Sequence, residues 1–140
     1  MDTRLNGTVT ALRIAIGLMA TLAGLDKFFN LLANWEAYVA PTAQQLLPVS
    51  AGAFMGIVGI IELIVGITIL AIRPSLGAFV ASAWLILVAV NLVVGGHLDI
   101  AVRDVVLAVA AYALGQFESA RATSTIQVAD ALGSRRTVTA

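Results

Sequence analysis

Cysteine is absent from this 140-residue sequence, and histidine occurs only once, at His97. A chain without cysteine cannot form a disulfide, use a thiol in redox catalysis, or bind zinc or an iron–sulfur cluster through sulfur. A single histidine does not build a metal site by itself. We therefore expect no metal site and no cofactor held entirely within the chain.

Charge is scarce as well. Charged residues make up 11% of the chain, against about 25% in a typical soluble domain. The eight basic and eight acidic residues cancel, so no basic face indicates nucleic acid binding. With 60% hydrophobic residues and a mean hydropathy of +0.98, a lipid bilayer is the expected environment. The length allows one domain.

Long apolar runs are what the sequence has instead. A helix needs roughly 17–25 residues to cross a hydrocarbon core of about 30 Å. Four segments approach or exceed that length: Thr8 to Leu25, Ser50 to Ile72, Ser75 to Gly96 and Ile100 to Phe117. The sequence therefore predicts an all-α fold, an antiparallel four-helix transmembrane bundle over residues 1–120. Residues 121–140 are predicted to form a polar, loosely ordered tail.

The connections differ in length. "RPS" and "GGHLD" join the later spans, and connections this short place consecutive helices side by side. About twenty residues, from Lys27 to Val49, separate the first two spans, and Pro41 and Pro48 interrupt them. We expect this stretch to form a long first extracytoplasmic loop.

Basic residues predict the orientation. The side that holds both termini carries Arg4, Arg73, Arg121, Arg135 and Arg136, with Arg13 just inside it. Only Lys27 and Arg103 fall on the other side. Because positive loops stay in the cytoplasm, both termini and the tail are predicted to be cytoplasmic. The expected location is a bacterial inner (cytoplasmic) membrane, crossed several times.

A carboxylate lies near the middle of the second span. A charge at membrane depth costs about 2.5–3.5 kcal/mol on insertion scales, so it needs a partner or a water-filled path. Glu62 shares one helical face with Gly59 and Gly66, and small residues let a neighbouring helix approach closely. Glu62 is therefore predicted to face the interior of the bundle.

The first span has a matching face. Arg13, Gly17, Gly24 and Lys27 fall on one stripe at helical spacing, with a cation near each end. We expect Arg13 to extend toward Glu62 from the cytoplasmic side. Lys27 is expected at the outer end of the span and, because it shares the face of Arg13, is predicted to point inward.

These charges have three interpretations. In the first they are structural ion pairs: Glu62 with Arg13 or Arg103, and Asp26 or Lys27 with Arg103 or Asp104. In the second, Arg13 and Glu62 form the polar floor of a cavity for a proton, an anion or a quinone head group. Its outer mouth is then the cluster of Asp26, Lys27, His97, Asp99, Arg103 and Asp104. In the third, the charges face another subunit.

Aromatic residues follow the first span. Phe28, Phe29, Trp35 and Tyr38 are most simply an interfacial belt, since aromatic rings favour the membrane–water boundary. Their place beside the outer cluster also suits a ligand-lining role. His97 is interpreted as a solvated turn residue or, alternatively, as a quinone-facing proton acceptor.

Three stretches resemble the DoxX-like family of small four-helix membrane proteins. "LRIAIGLMATLAGLDKF" looks like the family's first helix, "GIIELIVGITIL" like its second, and "DIAVRDVVLAVAAYAL" like its last. The resemblance covers most of residues 8–118. By resemblance, the positions carried over are Arg13, Lys27, Glu62, Arg103 and Asp104.

The resemblance implies a role beside redox enzymes. Some relatives are membrane subunits of thiosulfate:quinone oxidoreductase, and others belong to oxidative-stress complexes. For this chain it implies a membrane subunit of, or accessory to, a quinone-linked redox or respiratory assembly, not catalytic by itself. Quinone is the candidate ligand, and other membrane subunits or further copies of the chain are the expected partners. The alternative is a small carrier for a proton-coupled or anionic solute that uses the Arg13 and Glu62 site.

Overall fold

The computed structural model describes residues 3–138, and it describes the side chains of residues 4–127. Within that range the chain is helical and contains no strand. Five α-helices follow one another: α1 (Thr3–Asp26), α2 (Pro41–Leu46), α3 (Ala51–Ile67), α4 (Pro74–Val94) and α5 (Leu98–Val138). A 3-10 helix covers Trp35–Tyr38, and a π-helical turn over Thr68–Ile72 continues α3.

Three helices among the described residues are long and apolar enough to cross a membrane. They are Arg4–Asp26, Ala51–Ile72 and Pro74–Val94. Helices suit this solvent because they satisfy their own backbone hydrogen bonds where no water is present. Many of their large apolar side chains are exposed, including Leu22, Ile64 and Leu87. A lipid bilayer is the environment that such an exposed apolar surface favours.

The fourth predicted span is part of a longer helix. Ile100–Phe117 lies within α5, which is not one of the three helices above. The helix does not stop at the predicted tail but runs on to Val138. Residues 139–140 of the predicted tail lie outside the described residues.

Glycines bring α1 and α3 into close contact. A Cβ atom on Gly59 would lie 2.7 Å from the Gly24 carbonyl oxygen, and one on Gly66 would lie 2.7 Å from the Thr21 nitrogen. Gly17 lies against Leu70. The prediction that these small residues mark a helix–helix contact is confirmed. Residue numbers rise along α1 while the numbers of the contacted residues in α3 fall, so the two helices are antiparallel.

The helices α4 and α5 form a second pair. Ser75 and Ser119 hydroxyls are 2.6 Å apart, while at the other end Leu92 and Ala101 belong to one buried cluster. Between them, Gly115 leaves room for the Phe79 ring. Contacts between the α1–α3 pair and the α4–α5 pair are fewer. One buried core nevertheless contains side chains from all four of these helices, among them Val9, Ile69 and Ala78.

The register of α1 on α3 leaves half of α3 uncovered. The end of α1 at Asp26 is level with the middle of α3, near Gly59 and Glu62. Residues 28–50, which we call the α1–α3 connection, cover the rest. Val39 packs there against Met55 and Val58 in a separate buried cluster. The connection is therefore packed against the helices along part of its length, whereas the sequence predicted only an external loop.

Candidate functional site

A buried ion pair joins the end of α1 to the middle of α3. The Lys27 Nζ atom is 2.5 Å from Glu62 Oε2, and the two side chains are only 4% and 14% exposed. Lys27 follows directly on the last residue of α1, and Glu62 lies in the middle of α3. The tight glycine contacts between these helices bring the two charges together. The predicted inward orientation of Glu62 is confirmed.

Two indole rings complete the surroundings of the pair. The Lys27 ammonium lies 3.8 Å from the centre of the Trp35 ring, a cation–π distance. It also donates a hydrogen bond to the Ala23 carbonyl at 3.4 Å. The second Glu62 oxygen accepts a hydrogen bond from Trp84 Nε1 at 3.4 Å. Among the described residues, Glu62 and Ala23 accept from two of the three N–H donors of the ammonium, and the Trp35 ring covers a further side of it.

The neighbouring Asp26 has a different task. Its carboxylate accepts hydrogen bonds from Trp35 Nε1 at 2.7 Å and from the backbone N–H groups of Leu31 and Leu32 at 2.9 and 3.0 Å. Asn30 takes a positive φ of 52° in the turn between them, a conformation that asparagine tolerates. Asp26 thus holds the start of the α1–α3 connection and places the Trp35 ring on Lys27.

Asn91 of α4 fixes the middle of the connection. Its side-chain amide donates to the Tyr38 carbonyl at 2.8 Å and accepts from the Ala40 N–H at 3.1 Å. The Tyr38 ring meets the His97 ring edge to face, with centroids 5.1 Å apart. The connection is therefore tied to α1 through Asp26 and to α4 through Asn91.

A cavity of about 670 Å³ opens between the helices beneath the connection. Its lining is predominantly apolar, and its polar side chains include Lys27, Glu62, Trp84 and Asn91. This size and this mixture of an apolar wall with a few polar groups are typical of sites for small organic ligands. The buried ion pair is part of the wall.

The predicted outer mouth is only partly assembled. Arg103 and Asp104 line the cavity and pair with each other, with Arg103 Nη2 3.1 Å from Asp104 Oδ1. The Arg103 side chain is 62% exposed, so this pair lies at the edge. Asp26, His97 and Asp99 are not among the described residues that line the cavity. Lys27 lines it beside Glu62, which agrees with the prediction that this lysine points inward.

Arg13 is not part of this site. It lies 14 residues before Lys27, which corresponds to about 21 Å along an α-helix and is far beyond the reach of its side chain. The expectation that Arg13 extends to Glu62 was therefore wrong. The α1 residue that lies level with Glu62 is Gly24, which is about three helical turns away from Arg13. Arg13 is also not among the described residues that line the cavity.

The four aromatic residues divide into two groups. Phe28 and Phe29 are exposed, and their role in an interfacial belt stays a prediction. Trp35 and Tyr38 line the cavity and contact charged or polar groups of the site. For these two, the ligand-lining interpretation agrees with their position.

Sequence reasoning missed the roles of Trp84 and Asn91. Their spacing of seven residues indicated a shared helical face, which was the available signal. That Trp84 donates to Glu62, and that Asn91 binds backbone groups some fifty residues earlier in the chain, depends on tertiary contacts. Among the described residues, no group of three or more His, Asp or Glu side chains could hold a metal ion.

The chain was compared with known protein families, curated proteins and solved structures. No protein-family model, no curated protein and no solved structure matches the chain. The functional argument therefore depends on the geometry described above.

Proposed function

We propose that the chain is a four-helix antiparallel transmembrane bundle of DoxX-like type in the bacterial inner membrane, with both termini in the cytoplasm. Supporting this, residues 101–119 of α5 pack along the full apolar length of α4. A fourth crossing also returns the polar C-terminal part of α5 to the side of Arg4 and Arg73, as the positive-inside rule requires.

The proposed role is that of a membrane subunit of a quinone-linked redox or respiratory assembly, which offers a site for a lipophilic ligand. The observation that carries this proposal is the apolar cavity with the Lys27–Glu62 pair in its wall. A ligand with a long apolar part and a carbonyl head group matches such walls better than a fully hydrated ion does.

The residues of the chain fit a quinone head group. When bound, a quinone supplies reversible two-electron redox chemistry. The Lys27 ammonium can donate to a quinone carbonyl oxygen by exchanging its long 3.4 Å hydrogen bond to the Ala23 carbonyl, while Glu62 and the Trp35 ring hold the ammonium in place. The apolar wall excludes water and strengthens this hydrogen bond. We assign electron transfer to a partner subunit. The role of this chain is then to bind the quinone and to orient its head group.

Mass spectrometry of the protein extracted in mild detergent tests this proposal. We expect a co-extracted quinone together with other membrane chains. Val88→Trp fills the cavity and should remove most of the quinone, whereas Val102→Trp on the exposed face of α5 should leave it in place. A monodisperse preparation of this chain alone, without quinone, would contradict the proposal.

The alternative function is a carrier for a proton-coupled or anionic solute. It is favoured by two opposite charges in a cavity wall, with Glu62 in the middle of one membrane-capable helix and Lys27 directly after the end of another. With Arg13 outside the cavity, the carrier site would be Lys27 and Glu62. Purified protein in liposomes should then show pH-dependent solute flux that Glu62→Gln reduces; flux unchanged by that substitution excludes the carrier.

A further inference from the structure

The guanidinium group of Arg13 is incompletely satisfied by the protein. Its Nε atom is buried, and no hydrogen-bond acceptor reaches it among the residues whose side chains the structure describes. The side chain as a whole is partly exposed. Buried N–H donors in folded proteins nearly always have a partner, and the described residues give this guanidinium none. Because the chain itself covers Nε, an acceptor from outside binds at the terminal Nη groups. A guanidinium group in particular suits an oxyanion that can bind two of its N–H groups at once.

A second guanidinium group lies on the same face of α1. Arg121 of α5 donates through Nε to the Asn6 side chain at 3.2 Å and through Nη2 to the Asn6 carbonyl and to Thr10 Oγ1. Asn6, Thr10 and Arg13 are four and three residues apart, which places them on one helical face. Arg121 also pairs with the buried Glu118 at 3.1 Å. The cluster of Arg13, Arg121 and Glu118 therefore has one excess positive charge.

The cluster lies at one end of the apolar layer. Gly17 of α1 contacts Leu70, near the end of the π-helical turn that continues α3. Arg13 lies one helical turn further toward the N-terminus, level with Ile72 and Arg73, where the chain turns into α4. In a bilayer spanned by α3 and α4, this is the depth of the lipid phosphates. A partly exposed arginine there can bind a headgroup directly.

We propose that Arg13, supported by Arg121, binds the phosphate group of an anionic phospholipid. The planar guanidinium fork matches two phosphate oxygens, which lysine does not reproduce. Anionic lipids are also the ligands that basic residues at this depth meet in the membrane. This site is separate from the cavity, because Arg13 does not line it and Arg121 lies further from it still. It therefore does not depend on the proposed quinone.

The test measures lipid retention by native mass spectrometry. Protein is reconstituted in nanodiscs that contain equal amounts of phosphatidylglycerol and phosphatidylcholine. It is then released from the nanodiscs, and the lipids that stay bound are identified by mass. We expect the native chain to keep phosphatidylglycerol, and Arg13→Gln to weaken this binding by about tenfold or more, since a charge-assisted contact is lost. Arg103→Gln is the matched control, an exposed arginine at the opposite end of the helices. Equal losses in the two variants would overturn the proposal.

Two further arms separate the remaining explanations. Inorganic phosphate, titrated into lipid-free protein in detergent, should not raise its melting temperature; a rise that Arg13→Gln abolishes would show a free phosphate site and overturn the lipid source.

Glu118→Gln should leave lipid retention unchanged or increase it, because it removes a negative charge. If the double variant Arg13→Gln with Glu118→Gln is much less destabilised in lipid-free protein than the sum of the two single variants, Glu118 is the partner of Arg13 and the lipid is not. Should Arg13→Gln fail to fold, Arg13→Lys must still lose retention relative to Arg103→Lys.

Discussion

At the scale of single residues, one lysine carries most of the site. Lys27 is the only lysine in the sequence, and its ammonium contacts a carboxylate, a carbonyl and an indole ring. Each contact comes from a different direction, so the charge is held rigidly although the surroundings are apolar. Asp26, directly before it, is engaged in hydrogen bonds to the α1–α3 connection. Adjacent charges of opposite sign thus serve two separate tasks.

Breaking the buried pair should be costly. We expect Lys27→Met to lower the free energy of unfolding by about 3–5 kcal/mol, because Glu62 then keeps a buried charge without a cation. The double variant Lys27→Met with Glu62→Gln should recover much of this loss, since neither charge remains. Denaturant titration in detergent micelles measures both. Arg73→Gln, which removes an exposed charge, should change stability by about 1 kcal/mol or less; an equally large effect there would contradict the assignment.

Asp26 should control the mobility of the connection. Asp26→Ala removes the acceptor of three hydrogen bonds, so we expect faster hydrogen exchange at the Leu31 and Leu32 amides. The measurement is hydrogen–deuterium exchange of the detergent-solubilised protein followed by peptide mass spectrometry. Asp99→Ala, at an exposed acid in the first turn of α5, is the control and should leave those amides unchanged. Equal exchange in both variants contradicts the anchoring role.

At the scale of helices, small residues decide which elements touch. Gly17, Gly24, Gly59 and Gly66 leave no room for a side chain between α1 and α3. Close approach is what holds helices together in lipid, where burial of apolar surface supplies little driving force. The same contacts determine how far α1 reaches along α3, and hence where Lys27 lies.

Widening this contact should separate the helices. Gly59→Val would place a Cβ atom 2.7 Å from the Gly24 carbonyl oxygen, a backbone atom that cannot move away alone. We expect a loss of about 1–3 kcal/mol in unfolding free energy, as for other overpacked cores. Gly7→Ala is the control, since nothing lies within 4 Å of its Cβ position and alanine favours a helix. A stable Gly59→Val protein would show that the contact is not needed.

At the scale of the whole molecule, the number of crossings decides on which side the C-terminus lies. The chain has no cysteine, so single cysteines can be introduced and labelled without background. With four crossings, Leu98→Cys should react with an impermeant maleimide from outside intact cells, and Thr123→Cys only after permeabilisation. If α5 does not cross, both positions react from outside. Labelling of Leu98→Cys only after permeabilisation would reverse the proposed orientation.

Much of the architecture followed from local sequence. Apolar length predicted helices over residues 8–25, 50–72 and 75–96, and the structure has helices in each. Small residues at helical spacing predicted the α1–α3 contact, and the position of Glu62 beside them predicted its inward orientation. These inferences succeed because apolar length and helical periodicity are properties of one segment, and each segment meets the same solvent along its exposed faces.

The partners of the charges depended on tertiary structure. Spacing along α1 places Arg13 and Lys27 on one face but cannot say which of them lies opposite Glu62. The shift of α1 along α3 decides this, and it results from backbone contact at Gly24 and Gly59. The same shift exposes the N-terminal half of α3 to the connection, whose Trp35 then reaches Lys27. The sequence by itself thus determined a helical membrane protein with an inward acid, and the register of two packed helices decided that Lys27 is its cation.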